Sequence, residues 1–276
     1  MVTIKRFIFI IVIGIPFFFP AHPVQSNTQN PPIVLSHDQK IEDAVDAATS
    51  FMKAHQYYNE EKYGQAAQLY ERLVRSGITN GEVYYNLGNS YFKLGMLGKA
   101  IVNYRLAELY LPRDEDLKAN LRYARQLTKD KLEEKQFLPF IKKFCFWYSK
   151  LNLRELMIVF LLVHGVFWIV VIIKTFWKKE YHNLILLINL VVVVIVGCSL
   201  TLKIYTRLYT IGGVVLAKEI TVRSGNGSNN TALFQLHDGA ELKIIKQDGD
   251  WIKIELGDGK RGWVESTLVG KCQLQH

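Results

Sequence analysis

The sequence predicts three unlike parts: an all-α helical array, a two-helix transmembrane hairpin and a small C-terminal all-β barrel. Three observations carry this reading. Residues 47–80 and 81–114 resemble one another at a period of 34 residues. Two later runs are apolar and uncharged over 18 and 22 residues. From residue 211 onward, short β-branched runs alternate with Gly, Asn and Asp turns. Composition fits the mosaic: the 276 residues are 49% hydrophobic yet 21% charged, with mean hydropathy +0.07. That is too apolar for an ordinary soluble protein and too charged for a membrane bundle.

The chain opens "MVTIKRFIFIIVIGIPFFFPAHPVQSN". Lys5 and Arg6 precede an apolar run over residues 7–19, then Pro20, Pro23 and small residues at Val24 and Ser26. This predicts a signal peptide, residues 1–26, cleaved after Ser26 and followed by a linker, 27–37. The alternative is an uncleaved anchor; the shortness of the run and Pro16 stand against it. With no cysteine near the cleavage region, a lipid-anchored lipoprotein is excluded on this reading.

A shift of 34 residues places Ala54 over Gly88, Tyr57 over Tyr91, Ala66 over Ala100 and Tyr70 over Tyr104. Paired helices approach closely only where side chains are small, so Gly88 and Ala100 are the expected contact points. Tyrosines and Leu87 fill the grooves beside them. The pattern resembles the tetratricopeptide repeat, through Tyr84, Leu87-Gly88, Tyr91, Ala100, Tyr104, Ala107 and Pro112. Residues 47–80 match less well, with Lys53, Val74 and Thr79 at motif positions. A capping helix over 114–135 carries Leu121 in register, but Arg122 where glycine belongs. The array therefore runs over 38–135. The resemblance implies packing roles for those motif residues and a concave face that binds a protein partner. Tyr85, Asn86, Asn89 and Asn120 fall on that face. Asp116 stands where carboxylate-gripping members carry a cation, so a free C-terminus is not the expected ligand. The alternative is that the asparagines merely hydrate an unused surface.

Transmembrane helices are expected over 153–177 and 183–205, joined by a loop at 178–182 too short to hold a domain. Lys174, Lys178 and Lys179 favour a cytoplasmic loop, but Lys142, Lys143, Lys150 and Arg154 flank the other end. The signal peptide breaks this tie. It places the chain in the bacterial inner (cytoplasmic) membrane, two-pass, with both soluble domains extracytoplasmic. Between residues 122 and 155, nine Lys/Arg face four acids, interleaved with "FLPFIKKFCFWYSK". The juxtamembrane segment 136–152 therefore suits the lipid headgroup zone rather than nucleic acid.

The final module, residues 211–271, has five expected strands. It resembles the bacterial SH3-like domain through "VRSG" (222–225), Leu236-x-x-Gly239, "GDWIKI" (249–254) and Gly259-x-x-"GWV" (262–264). The resemblance implies a groove lined by Phe234, Asp238 and Trp263 for a peptide or a cell-wall stem peptide, with Trp251 in the core.

No HExxH, GxSxG, Walker or Rossmann pattern occurs, and "SGNGS" lacks the lysine and helix of a phosphate loop. Three cysteines without CxxC spacing offer no metal site; Cys198 reads as a small hydrophobe, and Cys145 with Cys272 is a candidate pair. His164 is expected to be a neutral imidazole beside Gly165, bonded to a carbonyl. No enzyme, cofactor or metal is expected.

The order of parts resembles the BatE family of the bacterial aerotolerance (Bat) operon. That resemblance implies a non-catalytic membrane scaffold or adaptor whose partners are other Bat-type membrane proteins, associated with oxygen stress. Two alternatives stand beside it. One is a cell-wall (peptidoglycan) sensing or tethering protein, the other a small oligomeric transport component using His164.

Overall fold

Short polar side chains start several of the helices. In the computed structural model Asn80 and Asp114 accept from the backbone N–H of Val83 and Leu117, each at 2.8 Å. Such caps stabilise a helix by about 1 kcal/mol each. The structure describes residues 37–78, 80–130, 146–177, 181–209 and 211–273. The predicted signal peptide, nearly all of the linker and residues 136–145 lie outside the described residues.

Among the described residues five helices come first: α1 (His37–Asn59), α2 (Tyr63–Arg75), α3 (Gly81–Lys93), α4 (Leu97–Glu108) and α5 (Glu115–Leu127). The turns after α1 and α3 close alike, 34 residues apart. Lys62 N–H donates to Tyr57 O at 2.9 Å, and Met96 N–H to Tyr91 O at 3.0 Å. Each turn places one residue in the left-handed region, Glu61 at φ 60° and Gly95 at φ 74°. Glycine adopts this freely, whereas Glu61 carries roughly 1–2 kcal/mol of strain. Ala54, Ala66, Tyr70, Leu87, Ala100 and Tyr104 share one buried cluster. At Gly88 a Cβ would sit 2.7 Å from two ring carbons of Tyr104 and 3.4 Å from the Ala100 carbonyl oxygen. A methyl group cannot enter that space unless the ring moves. The capping helix ends at Leu127 rather than 135, because Thr128 turns extended and its hydroxyl donates to Arg125 O.

A short helix, α6 (Phe146–Lys150), leads to α7 (Leu153–Phe176) and α8 (Tyr181–Tyr209). Asn152 and Glu155 form a reciprocal capping box at the start of α7. Phe160 meets Gly197, and Lys203 donates to Leu151 O at 2.5 Å, so α7 and α8 run antiparallel. Both helices are long and apolar enough to cross a membrane, and their apolar surface is largely exposed. α8 outruns its expected span at both ends. Its last turns are tied to α6, where Lys203 donates to Tyr148 O at 2.7 Å and sits 5.0 Å from the Tyr148 ring centroid. Arg113 pairs with Glu155 at 2.5 Å, joining the helical region to the start of α7.

Seven strands follow: β1 (Ile211–Val215), β2 (Glu219–Arg223), β3 (Ala232–His237), β4 (Glu241–Asp248), β5 (Trp251–Glu255), β6 (Arg261–Glu265) and β7 (Val269–Lys271). Two more form than the alternation predicts, because β1 and β7 are short and glycine-bearing and show little of it. All pairs are antiparallel, in the order β3-β2-β6-β5-β4-β1-β7. Leu236 from one end and Val269 from the other share a core with Ile252 and Ile254. A flat sheet cannot bring its ends to one cluster, so this one curls.

Candidate functional site

Strand alternation decides which side chains the β-module presents. Ile252 and Ile254 of β5, Gly262 and Val264 of β6, and Ile220 and Val222 of β2 face inward. Trp251, Lys253 and Trp263 consequently point outward; Arg223 follows an irregularity in β2 and donates from Nη1 to the Asn230 carbonyl at 2.9 Å. Trp263 pairs with both Arg223 and Lys253; Trp251 pairs with Glu265, two residues from Trp263. Such diagonal neighbours lie about 7–8 Å apart, within reach of one ligand. Both indoles are half-buried. The expected core role of Trp251 is thus corrected: it shares a face with Lys253. The alternation in "WIKIE" was the signal for this.

Phe234, Asp238 and Trp263 do not share a groove. Phe234 packs against the module's own core. Asp238 lies at a junction with the helices, and Trp263 is on the outer face. Asp238 Oδ1 accepts the Gly98 N–H at 3.0 Å. α4 has no side-chain cap of its own, since Met96 precedes it. The β-module supplies that cap from 140 residues away. Burial raises the Asp238 carboxyl above its ordinary value, opposed by backbone N–H donors at Gly98, Leu97 and Gly239.

Charge completes the junction. Glu241 accepts from Arg125 Nε and Nη2 at 2.5 and 2.9 Å and lies 3.6 Å from Arg105. Asp130 accepts the His237 backbone N–H at 2.6 Å and faces its Nδ1 at 3.2 Å, while Lys129 lies 2.7 Å from Nε2. Glycines allow the approach. A Cβ on Gly98 would lie 2.1 Å from Val215 O, one on Gly239 2.5 Å from Thr128, and one on Gly270 2.7 Å from Val102. Cys272 is a free thiol packed at this seam, where burial pushes its pKa up to about 12. Cys145, its candidate partner, lies outside the described residues.

The junction uses α4 and the end of α5. Tyr85, Asn89 and Asn120 instead bond to one another. Asn120 Nδ2 donates to Tyr85 OH at 3.0 Å and to Asn89 Oδ1 at 3.1 Å, and Tyr104 OH donates to Asn89 Oδ1 at 2.8 Å. Asn86 is half-buried, and its carbonyl accepts from Ser90. Tyr91 OH donates to Glu71. Asn89 is therefore a strut as well as a surface residue. Replacing it with alanine should cost roughly 1–3 kcal/mol, because the Tyr104 hydroxyl, on a side chain only 1% exposed, loses its acceptor. Tyr104→Phe should suppress most of that loss, a coupling that thermal melts of the four chains would measure.

His164 departs from its expectation. Its Nε2 accepts from Trp168 Nε1 at 2.9 Å, with no carbonyl involved, and its ring stacks on Phe160 and Phe167. Among the described residues, no three His, Cys, Asp or Glu side chains gather as metal ligands.

Residues 218–270 match the bacterial SH3 domain. Over 58 residues the chain is 41% identical to the putative N-acetylmuramoyl-L-alanine amidase YrvJ of Bacillus subtilis (strain 168). That stretch is 21% of this chain and 11% of the relative, so only a small part of the relative's length is shared.

Proposed function

We propose that this chain is a non-catalytic, membrane-anchored protein whose SH3 domain engages peptidoglycan. The observation that carries the proposal is the outward face of the domain, where the half-buried Trp251 and Trp263 sit beside Lys253. Indole faces bury the apolar faces of sugars or short side chains. A cation beside them pairs with carboxylates, which peptidoglycan stem peptides carry. The relative's name supports the reading, since N-acetylmuramoyl-L-alanine joins glycan to peptide in that polymer. In the reading, α7 and α8 cross the inner membrane twice and leave both soluble modules outside the cytoplasm. Their antiparallel course and exposed apolar surface support this, as does the N-terminal run.

Purified peptidoglycan should pellet the full chain from detergent solution. Trp251→Ala with Trp263→Ala should weaken that binding at least about tenfold, the loss of a buried aromatic anchor. A wild-type chain that stays in the supernatant would defeat the proposal.

The helical region is read as two tetratricopeptide units and a cap, supported by the turn that recurs at 34 residues and by the Gly88–Tyr104 contact. This favours a second role as a scaffold, with a protein partner on the face of Tyr85, Asn86, Asn89 and Asn120. Bat-type membrane partners and a part in oxygen tolerance rest on the order of modules alone.

A further inference from the structure

Resting on the membrane reading above, we infer that two copies of this chain associate within the bilayer through a groove between α7 and α8, joined by their Asn189 side chains. Asn189 sits eight residues into α8, about 12 Å from its first residue at ~1.5 Å per residue. That depth lies inside the hydrocarbon, and an asparagine is too short to reach water as a lysine would. Its Oδ1 is buried and has no hydrogen-bond partner among the described residues. The groove it lines is otherwise apolar, with Val163 and Val166 from α7 and Ile188 and Val192 from α8 among its walls.

An unpaired amide in hydrocarbon is costly, so an occupant that pairs it is favoured over one that only fills space. A lipid chain would fill the groove and leave the amide unpaired. A second copy does both. It carries the same groove at the same depth in the same orientation, so Asn189 meets Asn189 across a two-fold axis. Each amide holds a donor and an acceptor, and the pair can exchange two N–H···O bonds. Rotation about the terminal side-chain torsion, a soft coordinate, turns the amide outward. Each interhelical bond of this kind in lipid changes association by roughly three- to fifteen-fold.

The test uses the full chain, labelled on surface amines with donor or acceptor fluorophores and reconstituted into phosphatidylethanolamine/phosphatidylglycerol vesicles. Flotation with the vesicles comes first; a chain that does not float overturns the membrane reading, and this inference with it. For a floating chain, energy transfer should rise with protein density in the membrane. Asn189→Leu should shift that curve to at least about tenfold higher density. Asn189→Gln, which keeps the amide, should stay close to wild type, and Val166→Phe, which obstructs the groove, should weaken transfer. No transfer in the wild type at any density overturns the inference but leaves the membrane reading standing. So does transfer that Asn189→Leu and Val166→Phe leave unchanged.

Discussion

In a Gly98→Leu chain, Cys272 should react with N-ethylmaleimide under native conditions about a hundredfold faster than in the wild type. The cause is steric and local. A Cβ on Gly98 would lie 2.1 Å from Val215 O and 2.4 Å from Asp238 Oδ1. Neither neighbour gives way easily, since Val215 O accepts the Gly239 N–H at 3.0 Å and Asp238 caps α4. Within its own helix leucine is better than glycine by about 0.8–1.0 kcal/mol, so the array itself is not weakened. The strain falls on the seam, at roughly 1–3 kcal/mol for overpacking and about 1 kcal/mol for the lost cap. Near 3 kcal/mol, the open fraction rises roughly a hundredfold, at tenfold per 1.4 kcal/mol. Peptide mapping by mass spectrometry reads Cys272 apart from Cys145 and Cys198. Unchanged labelling at Cys272, with unchanged circular dichroism, would show that the seam does not hold the domain.

Gly98 also shows what the sequence could and could not tell. Its counterpart one repeat earlier is Gly64, which has nothing within 4 Å. The two glycines look equivalent in a self-alignment, yet only the second has another module pressed on it. The local features were legible because their causes are local: the contact at Gly88 and the two long apolar runs follow from spacing, whereas the turn at Glu61 and Gly95 carries no shared residue type to mark it. Trp251 was misjudged because its hydrophobic character was weighed above its parity with Lys253. The junction was hidden for another reason. Arg125 and Asp130 fall in the charge-rich stretch 122–155 that suits a membrane surface, and nothing marks Glu241; their partners lie over a hundred residues away.

The junction and the outer face occupy different parts of the SH3 domain's surface. Asp238, His237 and Glu241 hold the helices, while Trp251, Lys253 and Trp263 stay on the opposite side of the strand pleat from the domain's core. A ligand on the tryptophans would therefore pull on a module fixed to the array, which is itself tied to α7 through Arg113 and Glu155. On the proposed reading, force on Trp251 and Trp263 would reach α7 through these contacts, unlike a domain on a free linker.

Glu241→Gln should loosen the same seam by charge instead of shape. Glu241 is 23% exposed, with Arg125 at 30% and Arg105 at 34%. Glutamine preserves the volume but removes the negative charge the two guanidinium groups share, and it cannot accept both Arg125 N–H groups as a carboxylate does. Breaking a fully buried pair costs about 3–5 kcal/mol. Water reaches this one, and screening reduces the expected cost to roughly 1–2 kcal/mol. The Cys272 labelling rate should accordingly rise by about five- to thirty-fold. Adding Arg125→Gln should recover part of the loss, because the cation left facing a neutral amide goes with it, whereas adding it to the wild type should loosen the seam. The resulting coupling should lie near 1 kcal/mol, within the ~0.5–3 kcal/mol seen for residues in contact. Strict additivity of the two substitutions would mean that the pair contributes shape alone, and that the glycines and Asp238 hold the domain without it.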